Sequence, residues 1–417
     1  MRSLAISAQT ILFYLIPFSL LTGPFLPDLF ITIIGIIFLF ISIKEKKYIY
    51  YKNKFFYLFL IFYFYLILSS LFSDDLLHSL KNSFFYFRFC FFSLATWFLI
   101  DENKNFTRNF FIIFFLTFLI ALFDGYYQFF NKISIFGFYT SATRLTLLLN
   151  DRLLLGSFLV RLFPILIALL LTLKVETKYK ILISLILFVI TDVLIYLTGE
   201  RTAFGLLIIF SIFVILVTPN YKRLRLLTFL ISIIIIFLIT INKPDILERN
   251  IKFTLEQTNL SSLFVNDKSN IYIFSPQHHG HIISAIRMFM DNPIFGHGVN
   301  TFRLKCNKAE FKYNDESCST HPHNTYVQIL SELGLLGMIP IIIIIYHFFM
   351  RIFNHFLYSK NNPYNKLSDY EVFIIAAIVI TLWPLLPSQN FFNNWINVIY
   401  YLPVGFYLQS LYRKNYN

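Results

Sequence analysis

Apolar residues run unbroken for long stretches along this chain, and polar residues gather in short gaps between the runs and in one long interval, residues 242–324. Runs near the roughly 20 residues that cross a bilayer predict helices near residues 6–22, 25–43, 55–73, 84–100, 110–131, 153–174, 181–198, 203–218, 225–241, 325–349, 372–388 and 395–411. The expected fold is all-α: a polytopic membrane protein with about twelve transmembrane helices. A barrel is excluded, because the runs are continuously apolar and too long for alternating strands. Three regions follow: a membrane bundle of nine helices over 1–241, a helical subdomain outside the membrane over 242–324, before the tenth helix, and a bundle of three helices over 325–417.

Charge then orients the bundle. Only 14% of the residues are charged against 57% hydrophobic, and the net charge of +13 sits mostly in short loops. Lys44, Lys46, Lys47, Lys52 and Lys54 form one basic cluster, Lys174, Lys178 and Lys180 a second, and Lys222, Arg223 and Arg225 a third. Arg351, Lys360 and Lys366 form a fourth, and Arg413 with Lys414 closes the chain. With twelve spans all of these face one side, which is cytoplasmic because basic loops stay inside. Both termini are then cytoplasmic, and residues 242–324 face outward. The scatter of the basic residues excludes a nucleic-acid stripe and leaves anionic membrane lipid as their partner. The first apolar run has no small-residue cleavage site after it and reads as a retained helix.

The polar interval holds most of the chemistry. His278, His279, His281, His297, His321 and His323 lie there, six of the chain's nine histidines. Ile282 to Met290 has helical spacing, Asp291-Asn292-Pro293 stops it, and Gly296-His297-Gly298 supplies a turn. Cys306 and Cys318 are expected to pair on an oxidising outer face, worth about 3 kcal/mol in the chain-entropy model, and to hold His321 and His323 near Arg303. The histidine spacing matches no standard zinc pattern, and no Asp-x-Asp pair serves a Mg-dependent nucleotide-sugar donor; no metal or cofactor is expected. Four ionisable residues lie inside predicted spans, where charge needs a partner or a purpose. Arg88 and Asp192 read as packing pairs or as parts of a site, whereas Asp124 and Arg161, nearer the outer ends of their spans, are candidates for substrate binding.

His323-Asn324 is followed by Gln328, Glu332, Gly334 and Gly337, giving His-Asn-x-x-x-Gln-x-x-x-Glu-x-Gly-x-x-Gly. Upstream stand Arg287 with Asn292-Pro293-x-x-Gly296-x-Gly298, the Glu200-Arg201-Thr202 step, Arg144-Leu145 with Asp151, Leu155-Gly156 and Arg161-x-x-Pro164, and Asp124-Gly125-Tyr126-Tyr127-Gln128. These ordered blocks resemble the O-antigen ligase and polymerase superfamily of bacterial envelope proteins, with the ligase-like region near 185–345. Glu200 stands where that family commonly has Ser, and could pair with Arg201.

The resemblance implies an inner-membrane glycosyltransferase with a periplasmic active site. It would move a glycan from undecaprenyl diphosphate to a lipid A-core sugar hydroxyl. Guanidinium groups suit a diphosphate because they bind its oxygens bidentately and stabilise charge on it as it leaves. Arg201 and Arg287 are the expected catalytic arginines, and Arg144 and Arg303 are either further substrate contacts or solvated loop charges. His323 is the expected general base for the acceptor hydroxyl, with His321 and Asn324 touching substrate or orienting the base, or else merely capping the helix that follows. A polymerase taking a lipid-linked repeat unit and a protein O-oligosaccharyltransferase share this chemistry. A lipid or solute transporter, using the intramembrane charges along a path, is the rival from another class.

Overall fold

The computed structural model describes residues 2–141, 144–148, 152–243, 248–258, 272–358 and 365–416, so Asp151 and Lys360 lie outside the described residues. Its regular structure is helical, apart from isolated bridges joining Ile133 to Tyr139 and Ser141 to Arg144. The N-terminal part holds α1 (Arg2–Tyr14), α2 (Ile16–Ser19), α3 (Phe25–Lys44), α4 (Lys54–Leu71), α5 (Leu76–Phe84), α6 (Phe87–Glu102) and α7 (Phe106–Asn131). It continues with α8 (Leu155–Thr172), α9 (Thr177–Leu197), α10 (Arg201–Val217) and α11 (Lys222–Asn242). The polar interval contains α12 (Phe253–Thr258), α13 (Pro276–Asp291) and α14 (Phe302–Lys305), and α15 (Thr325–Tyr358), α16 (Asp369–Thr381) and α17 (Asn394–Tyr416) close the chain.

Among the described residues, 8 helices are long and apolar enough to cross a membrane, with α5 and α6 counted as one. The other predicted spans fall short for local reasons. α1 breaks at Leu15 before Pro17, α10 has 17 residues and α16 has 13, and α17 carries Asn397, Gln409 and Arg413 along its length. Two boundaries differ from expectation. The helix expected over 372–388 ends at Thr381, because Pro384 and Pro387 cannot continue it, and residues 382–393 form a non-helical connection instead. The stretch expected as a loop over 73–83 forms α5, whose first turn is capped by the Asp75 carboxylate accepting from His78 N at 3.1 Å.

Helix ends sort into two groups. At one end Arg2 pairs with Glu102 at 2.7 Å, Lys47 pairs with the same carboxylate, and Trp97 meets Tyr412 with ring centroids 5.0 Å apart. At the other end Arg88 Nε donates to Asp28 at 2.7 Å and its Nη2 to Asn394 at 2.9 Å, joining the starts of α3, α6 and α17. Arg225, expected as a basic loop charge, is fully buried and gives Asp192 two hydrogen bonds, at 2.7 and 3.1 Å, while Ser232 also donates to Asp192. Arg225 Nε has no hydrogen-bond partner, but the pair still holds α9 and α11 in register, because losing either member would strand the other in a low dielectric. Phenylalanine fills the space between the helices: the Phe13 ring lies 4.9 to 6.4 Å from Phe92, Phe106, Phe110 and Phe406. Lipid tails are as apolar as these side chains, so contact and polar pairing rather than water exclusion hold the helices together.

Candidate functional site

The site grows from a break in α15. Gly334 takes φ 63° and ψ −165°, which interrupts the helix one turn after Leu330. An uninterrupted helix would pair the carbonyls of Ser331 and Glu332 with the amides of Leu335 and Leu336. Here all four groups turn to the Asn-Pro-x-x-Gly-x-Gly block. His297 N donates to Ser331 O at 3.2 Å and Gly298 N to Glu332 O at 2.8 Å, while Leu335 N and Leu336 N donate to Pro293 O and Ile294 O at 2.8 and 3.3 Å. The two motifs therefore meet as one backbone joint in which all four of these groups are paired. Tyr65 from α4 donates to Leu333 O, sealing the break from the side.

Glu332 and Gln328 complete the joint. The fully buried Glu332 carboxylate accepts from Asn300 N at 3.1 Å and Phe302 N at 2.9 Å. Gln328 donates to Glu332 and to Asn390, at 3.1 and 2.9 Å, and accepts from Phe391 N. These residues fix the polar interval and the 382–393 connection onto the start of α15. Their work is positional.

Above the joint, four histidines share one space. The His323 ring lies 4.0 Å from His321, 4.9 Å from His278 and 5.3 Å from His281, centroid to centroid. Ser275 begins the helix that supplies the latter two, accepting from His278 N, with Pro276 at the first helical position. His323 itself sits in the left-handed region at φ 55°, with its carbonyl accepting from Ser388 N at 2.8 Å. Ser388 O accepts from His321 Nε2 at 3.3 Å, and its hydroxyl bonds Thr325 at 2.8 Å. Asn324 caps α15, accepting from Tyr326 N and Val327 N, and donates to Pro384 O. The disulfide between Cys306 and Cys318 closes the segment just before this cluster.

Burial keeps the cluster uncharged. It pushes His323 down to about 2, with further repulsion from His321, His278 and His281, and pushes His321 and His278 down to about 4. The unfolded chain, with histidines near 6.5, then binds more protons than the folded one between about pH 6.5 and 4. Stability from these groups is complete above 6.5 and is lost as pH falls through that window. The melting temperature of detergent-purified protein is expected to drop between pH 7.5 and pH 5, and His278→Asn to flatten that drop; equal slopes in both proteins would contradict it.

Arginines flank the cluster on two sides. Arg201 donates to Gln257 at 2.6 Å and Thr254 at 3.3 Å, and its charge bears on His278. Arg144 and Arg249 lie close enough to act on it electrostatically. Burial and the charge of Arg144 hold the Arg249 guanidinium below its usual range. Glu200 does not neutralise this group by pairing with Arg201. Its carboxylate accepts from Gly156 N at 2.7 Å and Ser157 N at 3.1 Å, so it caps α8, and burial pushes it up. Beside His321, a cavity of about 310 Å³ is lined by Arg152, Leu154, Arg303, Gln389 and Trp395.

Other expected site residues stand elsewhere. Arg287 is exposed, donates to Lys312 O and stacks on Tyr313 at 5.6 Å; nine residues from His278, it faces the other side of α13. The structure does not bring it to the cluster. Asp124 is fully buried, accepting from Gln128 and from Ile135 N at 2.8 Å, which holds the chain where it leaves α7. Arg161 is buried beneath the cluster near Tyr400 and Glu200, with Nε and one Nη lacking a hydrogen-bond partner. Arg144 donates to Leu153 O at 2.8 Å. Sequence reading missed Ser388, Arg152 and Arg249. The prolines at 384 and 387 flag a polar connection around the first, whereas nothing nearby marks the arginines as more than loop charges. Among the described residues, no group of three or more His, Cys, Asp or Glu is arranged to hold a metal ion.

A sequence model of the O-antigen ligase family matches residues 182–342. That interval runs from α9 through the α15 break, and so contains the histidine cluster, Arg201, Arg249 and the backbone joint. No curated protein matches the chain.

Proposed function

We propose, from the match of residues 182–342 to the O-antigen ligase family, that this chain is a membrane glycosyltransferase of the O-antigen ligase and polymerase superfamily and transfers a glycan from undecaprenyl diphosphate to a lipid A-core sugar hydroxyl on the periplasmic face of the inner membrane. The observation that carries the reading is the uncharged histidine cluster at a helix start, flanked by converging arginines. In this reading about twelve helices cross the membrane, both termini are cytoplasmic, and the glycan-transfer site opens outward, with residues 242–324 as a periplasmic subdomain.

The chemistry follows from those groups. Arg201, Arg249 and Arg144 receive the donor diphosphate, whose negative charge offsets their mutual repulsion. The acceptor oxygen attacks the anomeric carbon as the bond to the diphosphate oxygen breaks, and the electron pair leaves on undecaprenyl diphosphate. His323, neutral before substrate arrives, takes the acceptor proton, and the bound diphosphate charge stabilises the imidazolium so formed. The guanidinium groups stabilise the leaving charge, so the scheme uses no metal and no cofactor. Arg287 has a positioning role here, tying α13 to the disulfide-closed segment.

The transporter reading requires intramembrane charges along a path. Of the four charges such a path would use, Arg88, Asp192 and Asp124 are committed to local partners, which favours the enzyme, and Arg161 alone keeps Nε and one Nη without a hydrogen-bond partner. Acceptor choice is tested by offering the purified protein one lipid-linked glycan with lipid A-core, a lipid-linked repeat unit, or a Ser/Thr peptide. Product on lipid A-core alone is expected. Product only on the repeat unit or the peptide would make the protein a polymerase or a protein glycosyltransferase.

A further inference from the structure

We infer that the end of α13 and the 293–296 turn are immersed in the bilayer, anchoring the polar interval in the leaflet nearer the histidine cluster. By composition this interval belongs outside the membrane, yet its turn is held beside two helices long and apolar enough to cross one. Phe295 O accepts from Tyr65 of α4 at 3.2 Å, and Pro293 O and Ile294 O accept from Leu335 N and Leu336 N of α15 at 2.8 and 3.3 Å. Tyr65 lies about 9 Å along the axis before Leu71 ends α4, and Leu335 about 15 Å beyond Thr325, where α15 starts. The turn therefore sits below the ends of both helices rather than above them.

The side chains at the turn suit lipid and not water. Met290, Ile294 and Phe295 are 70%, 52% and 57% exposed, and Ile286, also exposed, shares the Met290 face of α13 one turn earlier. This stripe is continuous with what the neighbouring helices leave bare. Leu68 and Phe72 follow Tyr65 at helical spacing, and Ile339 follows Leu335, all of them exposed. Lipid tails cover those faces, and the same tails reach Ile294 and Phe295. The charges that border the stripe turn away from it: Arg287 donates to Lys312 O and stacks on Tyr313, and Asp291 lies 3.5 Å from His297. Elsewhere the same interval exposes Lys308, Glu310, Asp315 and Glu316. One apolar edge and one charged edge mark an element at the bilayer interface, its apolar side about 5–10 Å into the headgroup and acyl boundary.

The anchor sets the height of the site. α13 carries His278 and His281 near its start, and its end is tied to α15 through the backbone joint. Lipid at that end therefore holds the cluster close to the membrane surface, where, on the transferase reading above, the diphosphate of a lipid-linked donor lies.

Tryptophan fluorescence tests the immersion. The full chain carrying Phe295→Trp or Met290→Trp is placed in nanodiscs of ordinary phospholipid and of phospholipid brominated along its acyl chains, with Asp315→Trp as the water-facing control. All three positions are exposed, so the larger ring crowds nothing. The fluorescence added to that of the three native tryptophans is expected to fall at least about twofold further in brominated lipid at positions 290 and 295 than at 315, as an apolar face at acyl depth requires. Aqueous iodide should show the reverse order. Quenching by iodide at 290 and 295 equal to that at 315 places the turn in water and overturns the proposal. Insensitivity to both quenchers places the face against protein, a second copy or another chain, and overturns it as well. Glycan transfer is not read, and both leaflets carry bromine, so failure of the transferase reading or of the proposed orientation leaves this outcome intact.

Discussion

Replacing His323 with asparagine is expected to lower the turnover number for glycan transfer by about a hundredfold to ten-thousandfold, the range that a positioned general base supplies, with little change in melting temperature. Asparagine is chosen because the position is left-handed, at φ 55°, and asparagine tolerates that region better than most residues. The His323 ring makes ring contacts with three other imidazoles, whereas His321 is held through Ser388 and Thr320. On that difference the proposed mechanism gives the chemistry to His323 and the positioning to His321. Steady-state kinetics in detergent on folded variants checks it. A loss below tenfold in His323→Asn, with a larger one in His321→Asn, would exchange the two roles.

The second large effect lies in the backbone joint. Gly334→Ala is expected to destabilise the protein by about 4 kcal/mol or more, the range reserved for overpacking combined with a strained backbone. A Cβ at Gly334 would stand 2.3 Å from Ile294 O, and one at Gly296 would stand 2.4 Å from the carbonyl carbon of Glu332, so each glycine admits the other strand of the joint. Both positions also have positive φ. Gly296→Ala should therefore behave in the same way. Size-exclusion recovery and thermal melts of the two variants beside Gly137→Ala, at a positive φ but with nothing within 4 Å, separate crowding from backbone strain. Full recovery of both joint variants would show that the α15 break can relax.

What was legible in the sequence follows from how local each signal is. Unbroken apolar runs announce helices, and most ends fell close to expectation because a span's length is set by the bilayer. The matched region, 182–342, takes in the Glu200-Arg201, Arg287 and His-Asn blocks, while the blocks at 124–128 and 144–164 lie outside it. The pairing of Cys306 with Cys318 was also expected, from compartment and cysteine count, and is present.

Long-range partnership was not legible. Arg287 lies in the right block, but the turn of a helix carries it to the face opposite His278. Glu200 sits next to Arg201 in sequence and yet caps a different helix. Arg225 lies among loop charges in sequence, and only the packing of α9 against α11 shows it buried on Asp192. Ser388 reaches His323 from 65 residues further along the chain, and Arg249 acts on Arg201 from 48 residues further along, so no local pattern identifies them. The glycines of the two motifs were recognisable as a set, but their reason is geometric: each makes room for the other's backbone.

The most direct test of glycan transfer at this site uses the protein in proteoliposomes, with undecaprenyl diphosphate carrying a labelled glycan, lipid A-core as acceptor, and a chelator present. Label is expected on the acceptor in equal amount to free undecaprenyl diphosphate released, with both lost in Arg201→Gln. Label that stays on its lipid carrier while the carrier moves between leaflets would contradict the account and identify a transporter.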